Sequence, residues 1–215
     1  MDRKRADRNI FLVILGIWIA ALLFGVLVYK SQGLDVDYAI LNAIHVREFP
    51  GVTRVMKAFT VSGDPLFYIV VNLVAIVWLL RKKKYPELFC MLAAVLVGWG
   101  MNEVLKHLFL RIRPEGYALI EQGGYSYPSG HSMVAMAWYP TVGFLLQYRR
   151  PQLARTGMVF ALFGFLPGVS RLFLGVHYPT DVLFGHLLGI TIAYLCIRIY
   201  VEYKKKIFPE EGYMV

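Results

Sequence analysis

IFLVILGIWIAALLFGVLVY (residues 10–29) runs for 20 residues without a charged side chain, the length at which a helix crosses the hydrocarbon core of a bilayer. Arg3, Lys4, Arg5 and Arg8 stand before it, as basic residues stand before a secretory signal. The run is too long for the apolar core of such a signal, and no small-x-small cleavage site follows. It reads as a retained first span. The remainder of the 215-residue chain has the same character, being 58% hydrophobic and 17% charged, against about 45–50% and about 25% in an average soluble domain. Further apolar segments at residues 65–80, 87–110, 132–146, 154–173 and 181–201 complete an expected all-α bundle of six transmembrane helices. Linkers are short and no repeat is present, so residues 1–215 read as a single integral-membrane domain. Cys90 and Cys196 both lie inside apolar runs and offer neither a disulfide framework nor a metal-type spacing.

Basic residues orient the expected bundle, because cytoplasmic loops carry the excess of Lys and Arg. The four in the N-terminal tail, RKKK at 81–84, the group Arg149, Arg150 and Arg155, and Arg198 with KKK at 204–206 fall on one side when the number of spans is even. Together they hold 15 of the 23 basic residues. Both termini are therefore expected in the cytoplasm, with the chain in the plasma membrane. The net charge of +9 then follows from topology and anionic lipid surfaces, and nucleic acid is not an implied partner. The outer face holds residues 30–64, 111–131 and 171–181. Lys30, Arg47, Arg54 and Lys57 are spread along the first of these. Lys106, Arg111, Arg113 and Arg171 gather around the other two, where outer loops should be poor in positive charge. That concentration marks a candidate site.

Three short patterns make up the site. In KHLFLRIRP, Lys106 and Arg113 are seven residues apart, nearly two helical turns, and share a face if the helix continues to Pro114. In YSYPSGHSMVAM (residues 125–136), Pro128, Ser129 and Gly130 lead into a helix starting near His131. The first turn of a helix offers unpaired N–H groups and the positive end of the dipole, which suits an anion. Ser129 adds a hydroxyl donor, Gly130 permits close backbone approach, and His131 exchanges a proton near neutral pH. In SRLFLGVHYPTD (residues 170–181), Arg171 suits phosphate oxygens, and His177 with Asp181 four residues on has the look of an imidazole oriented by a carboxylate. Pro179 is placed to open the last helix with Asp181 in its first turn. Three cations, a helix N-terminus, two histidines and one acid suit phosphoryl transfer, where positioning and charge stabilisation dominate. No Asp, Glu and His cluster suggests a metal site, and no cofactor is implied.

The patterns K-x6-RP (Lys106, Arg113, Pro114), PSGH (128–131) and SR-x5-H-x3-D (Ser170, Arg171, His177, Asp181) resemble the three-part signature of the type 2 phosphatidic acid phosphatase superfamily, in its bacterial membrane lipid phosphatase branch. The resemblance covers residues 87–201 by motif. It implies that His177 attacks phosphorus to form a phosphohistidine while Asp181 orients it. His131 would protonate the leaving oxygen and then activate water. Lys106, Arg113, Arg171, Ser129 and the Gly130 amide would bind the phosphoryl oxygens. Arg111 and His107 are basic neighbours to which the signature gives no role, and His45 and His186 are expected to be structural. Small bacterial members act on phosphatidylglycerophosphate, phosphatidic acid, diacylglycerol pyrophosphate or undecaprenyl pyrophosphate. The resemblance favours conversion of phosphatidylglycerophosphate to phosphatidylglycerol, with undecaprenyl pyrophosphate hydrolysis in lipid-carrier recycling as the alternative.

Residues 36–60, with Val36, Ile40, Ile44 and Val46 among polar residues, read as an amphipathic helix on the outer surface that guides a headgroup. Two rival classes carry different expectations. A haloperoxidase uses the same signature to hold vanadate but is soluble, so vanadate should only inhibit this chain. A transporter also carries intramembrane charge, but at the bilayer midplane rather than at one face.

Overall fold

The computed structural model describes residues 3–45, 50–148 and 150–207; Val46, Arg47 and Arg149, named above, lie outside the described residues. Those residues form eight α-helices and no strand: α1 (Arg3–Leu27), α2 (Asp35–His45), α3 (Pro50–Val61), α4 (Pro65–Arg81), α5 (Tyr85–Phe109), α6 (Gly130–Gln147), α7 (Ala154–Phe173) and α8 (Pro179–Ile207), with a 3-10 turn at Pro151–Leu153 before α7. By length and composition α1, α5, α7 and α8 can each cross a bilayer, and α3 with α4, bent by 48° at their junction, form a fifth candidate.

The segment expected at 132–146 forms α6, which has the hydropathy of a buried helix instead of a lipid-facing one. It packs against α5, α7 and α8 and buries Ser132, Ala135, Ala137 and Thr141. A helix enclosed by others gains more from small residues that let backbones approach than from large apolar ones. The α8 face toward it shows the fit: a Cβ added at Gly185 would stand 2.7 Å from the Ser132 Cβ. Helix α1 is the opposite case, with Phe11, Leu12, Val13, Leu23, Val26 and Leu27 all exposed, as suits a hydrocarbon surrounding.

Contacts fix which helix ends lie together. At one end Tyr200 of α8 donates to Glu87 of α5 (3.1 Å), and Arg198 of α8 meets Asp7 of α1 (3.1 Å). Lys82 to Lys84 and Lys204 to Lys206 belong to this end. The other end gathers the start of α4, the end of α5, the starts of α6 and α8 and the end of α7, and there the signature residues meet.

Two expectations change at that end. Helix α5 does not reach Pro114: it stops at Phe109, Leu110 turns left-handed (φ 53°), and its N–H closes on the Lys106 carbonyl. A residue preceding proline is disfavoured in the α region, so Arg113 leaves the helix and extends into the loop. Residues 36–60 form no single surface helix. They make α2 and α3, with α2 packed on α7 and α8, α3 packed on α7, and Asp37 and Leu41 fully buried.

Candidate active site

His177 lies in the loop between α7 and α8 and is buried. One ring nitrogen, Nε2, is 3.0 Å from Arg113 Nη1. A guanidinium only donates, so Nε2 accepts and carries a lone pair, and the ring proton is on Nδ1. The Nδ1 side agrees: it lies 3.3 Å from Ser126 Oγ and 3.4 Å from Asp181 Oδ2. Ser126 spends its own proton on Asp181 Oδ2 (2.5 Å) and so has a lone pair for the Nδ1 proton. Burial holds the His177 pKa well below the usual 6.5, and the positive charges of Arg113, Arg171, Lys106 and His131 push it further in the same direction. The result is a neutral imidazole of defined tautomer with its lone-pair nitrogen turned to a guanidinium.

Asp181 sits in the first turn of α8 and is fully buried. Its Oδ2 accepts from Ser126 and from the Tyr178 N–H (2.9 Å). Its Oδ1 accepts from Arg111 Nη1 (2.6 Å). Arg111, to which the signature gives no role, is fully buried and bridges Asp181 to Asp37 Oδ2 on α2 (2.6 Å), with Thr180 Oγ1 as a third partner (2.8 Å). Asp37 in turn accepts from the Thr180 N–H (3.0 Å). The guanidinium also lies over the Tyr178 ring, 4.3 Å from its centroid. The neutral donors Ser126, Thr180 and the backbone N–H groups of Tyr178 and Thr180 supplement the single cation that the two buried acids share.

The cations are brought together from separate elements. Arg113 is pinned through the carbonyls of Gly123 (3.1 Å), Gly124 (3.0 Å), Tyr125 (3.1 Å) and Val176 (2.7 Å), which hold its fork against His177. Partial burial lowers its pKa to about 10, with Asp181 opposing the shift. Arg171, at the end of α7, donates to Thr60 Oγ1 (2.7 Å) and to Gln122 Oε1. Lys106 projects from the last turn of α5, and a Cβ at Gly130 would stand 3.7 Å from its Nζ and 2.9 Å from Asn102 Oδ1. That narrow gap explains glycine at the head of α6. Ser129 occupies the N-cap of α6 but makes no capping bond with its side chain; its hydroxyl is buried without a partner among the described residues. A buried hydroxyl without a partner costs stability, and this one lies beside the α6 N-terminus.

His131, in the first turn of α6, faces a residue that sequence reasoning missed. Asp64 Oδ1 is 2.9 Å from His131 Nε2. Asp64 stands at the N-cap of α4 and also makes no capping bond with its side chain. Gly63 allows the approach, since an added Cβ would lie 2.5 Å from the imidazole Cδ2. Asp64, Ser126, Arg111 and Asp37 were not assigned roles from sequence. An acid before Pro65 reads as an ordinary helix start, and nothing local pairs residues 37 and 111. Arg111 lies within KHLFLRIRP, Ser126 within YSYPSGHSMVAM and Asp37 within residues 36–60, all stretches read from the sequence, but no pattern there gives any of the three a role. Of the other histidines, His107 bonds the Glu103 carbonyl, His45 the Leu41 carbonyl and His186 the Phe165 carbonyl, all away from the His177 cluster. Among the described residues no three His, Cys, Asp or Glu side chains are grouped to hold a metal.

From the site a groove of about 880 Å³ runs between α4 and α5. Its head is polar, with Asp64, His131, Lys106, Glu103 and Gln122, and its length is apolar, through Ile69, Leu73, Ile76, Leu92 and Leu96. It therefore continues from the charged end into the apolar body of the bundle.

Residues 87–205, more than half of the chain, match the PAP2 superfamily, and the chain belongs to that superfamily. It is 30% identical over 178 residues to the phosphatidylglycerophosphatase B of Bacillus subtilis, covering 81% of this chain and 88% of that protein. It is 26% identical to an undecaprenyl-diphosphatase of Sulfolobus acidocaldarius, over 85% of this chain and 90% of that one. The fold superposes on the crystal structure of a transmembrane PAP2-type phosphatidylglycerolphosphate phosphatase from Bacillus subtilis with a TM-score of 0.79 and 27% identity, covering 91% of this chain and 98% of the other.

Proposed function

We propose that the chain is a metal-independent lipid phosphate phosphatase of the plasma membrane, acting as one unit over residues 1–215, with phosphatidylglycerophosphate as its substrate. The observation that carries this reading is the His177 arrangement: a neutral, buried imidazole whose Nε2 lone pair faces Arg113 within a ring of cations. In this reading Nε2 attacks phosphorus, the bond to the lipid oxygen breaks, and His131 gives that oxygen a proton. A water then attacks the phosphohistidine, the P–N bond breaks, and His131 takes the water's proton. Lys106, Arg113, Arg171, Ser129 and the Gly130 N–H hold the three phosphoryl oxygens through both steps. Asp181 holds the Nδ1 proton in place.

The groove between α4 and α5 supports a lipid in place of a soluble ester, because its apolar length suits an acyl chain while its head meets the site. In the topology we propose, α1, α4, α5, α6, α7 and α8 each cross the membrane, both termini are cytoplasmic, and α2 and α3 lie at the outer surface beside the site. The basic groups at the opposite end of the bundle support that orientation. A second reading, hydrolysis of undecaprenyl pyrophosphate, is favoured by the resemblance to the archaeal diphosphatase.

Phosphate release by the purified protein in EDTA, with phosphatidylglycerophosphate and undecaprenyl pyrophosphate offered separately, tests the proposal. Turnover that persists in EDTA and is lost in His177→Ala, by on the order of 10³-fold or more, is the expected result. A faster rate on the pyrophosphate would move the assignment to the second reading. Turnover abolished by EDTA, or retained in His177→Ala, would overturn the mechanism.

A further inference from the structure

Both carboxylates that face site histidines stand near helix starts, yet they are placed differently. Asp181 is sealed. The Asp64 side chain is 42% exposed, while the His131 side chain that it bonds is 13% exposed. An aspartate at an N-cap ordinarily accepts from the N–H groups of the first turn, a stabilising contact. Asp64 forgoes that contact and directs Oδ1 to His131 Nε2 instead. Its carboxylate also lines the head of the groove between α4 and α5.

With Nε2 engaged by Asp64, Nδ1 is the nitrogen left to serve the reaction. Step one needs the imidazolium: Nε2–H stays on Asp64 while Nδ1–H passes to the departing oxygen. We propose that Asp64 is the positioning residue for the general acid, holding His131 in the ring orientation and protonation state that deliver a proton to the leaving group. By this means it sets how well the enzyme cleaves phosphate monoesters relative to pyrophosphates. The inference rests on the phosphatase reading above. An alkoxide released from a monoester is a strong base and cannot depart without a proton. A lipid monophosphate released from a pyrophosphate, or a nitrophenolate, is a weak base and departs without one. Assistance of this kind contributes about 10²–10⁴-fold where it is needed. Being exposed, Asp64 also gives the buried imidazole a route to water for proton exchange between turnovers.

The test compares wild type, Asp64→Asn and Asp64→Glu in detergent on dioctanoyl phosphatidic acid, farnesyl pyrophosphate and p-nitrophenyl phosphate, with a thermal unfolding curve for each protein. Asp64→Asn keeps the side-chain shape and removes no capping bond, so it is expected to unfold at the wild-type temperature. Its kcat on the phosphatidic acid should fall by about 10²-fold, its kcat on the other two substrates by less than about tenfold, and Asp64→Glu should recover part of the loss. Equal losses on all three substrates, or no loss on any, would overturn the role of Asp64 alone. A wild-type protein inactive on all three would overturn the phosphatase reading itself, and this inference with it.

Discussion

The His177–Asp181 pair and the His131–Asp64 pair use the same two side chains at the same end of the bundle, but they differ in what surrounds the acid. Asp181 has no exposed side-chain surface and takes contacts from Arg111, Ser126, Tyr178 and His177. Asp64 has one described side-chain partner, His131, and otherwise opens to the groove. A carboxylate enclosed by donors cannot follow the solvent, so it fixes a tautomer and an orientation. One that reaches water can accompany a proton in and out. In the proposed mechanism this separates His177, which has to stay neutral and still to attack, from His131, which has to change charge in each half of the reaction.

The largest effect that would break this comparison is on the sealed side. Arg111→Met leaves Asp37 and Asp181 buried without their shared cation, a loss of about 3–5 kcal/mol. Thermal unfolding in detergent should show a clear fall in Tm, in contrast to Asp64→Asn. An unchanged Tm would mean that the buried network is not what holds α2 to the start of α8. Next in size is Ser126→Ala, which removes the hydroxyl between His177 Nδ1 and Asp181. The expected loss is about tenfold in kcat with little change in KM. A rise in KM alone would assign Ser126 to substrate binding.

The smallest effect concerns pH. A histidine whose pKa is held down stays neutral until the pH falls through that lowered value. Burial, followed by the charges of Arg113, Arg171, Lys106 and His131, holds His177 well below 6.5. The acid limb of kcat/KM that belongs to His177 should therefore lie well below pH 6.5, on a substrate that does not titrate in that window. An acid limb at or above 6.5 on such a substrate, unmoved in Asp64→Asn, would show that its nitrogen is not held neutral.

Much of this was legible in the sequence, for reasons that can be named. Apolar runs report long helices directly, so α4, α5 and α7 fall close to their expected bounds, while α8 runs past residue 201 through its basic tail to Ile207. The expected segment at 132–146 forms α6, whose buried Ser132, Thr141, Gly143 and Pro140 among apolar neighbours weaken its apolar signal. Helix α5 ends at Phe109 with Leu110 left-handed, and Pro114 keeps Arg113 out of the α region as well, neither of which the seven-residue spacing reveals. The signature side chains are brought together: His177 with Asp181, Arg113 against Nε2, Lys106 beside Gly130. Long-range partnerships carry no local mark. Arg111 with Asp37 spans 74 residues and His131 with Asp64 spans 67, and neither pairing has a periodicity or a motif to announce it. Asp64 in particular has the appearance of a cap and the contacts of something else.

The groove between α4 and α5 gives the protein a front. On the proposed reading a lipid diffusing in the leaflet would reach the site from that one bearing, and the flanks formed by α1, α7 and α8 would be free to lie against neighbours. In a crowded membrane, throughput then depends on which way the molecule faces as well as on how fast it turns over. A neighbour that docked along α4 and α5 would silence the enzyme without touching a single reacting atom.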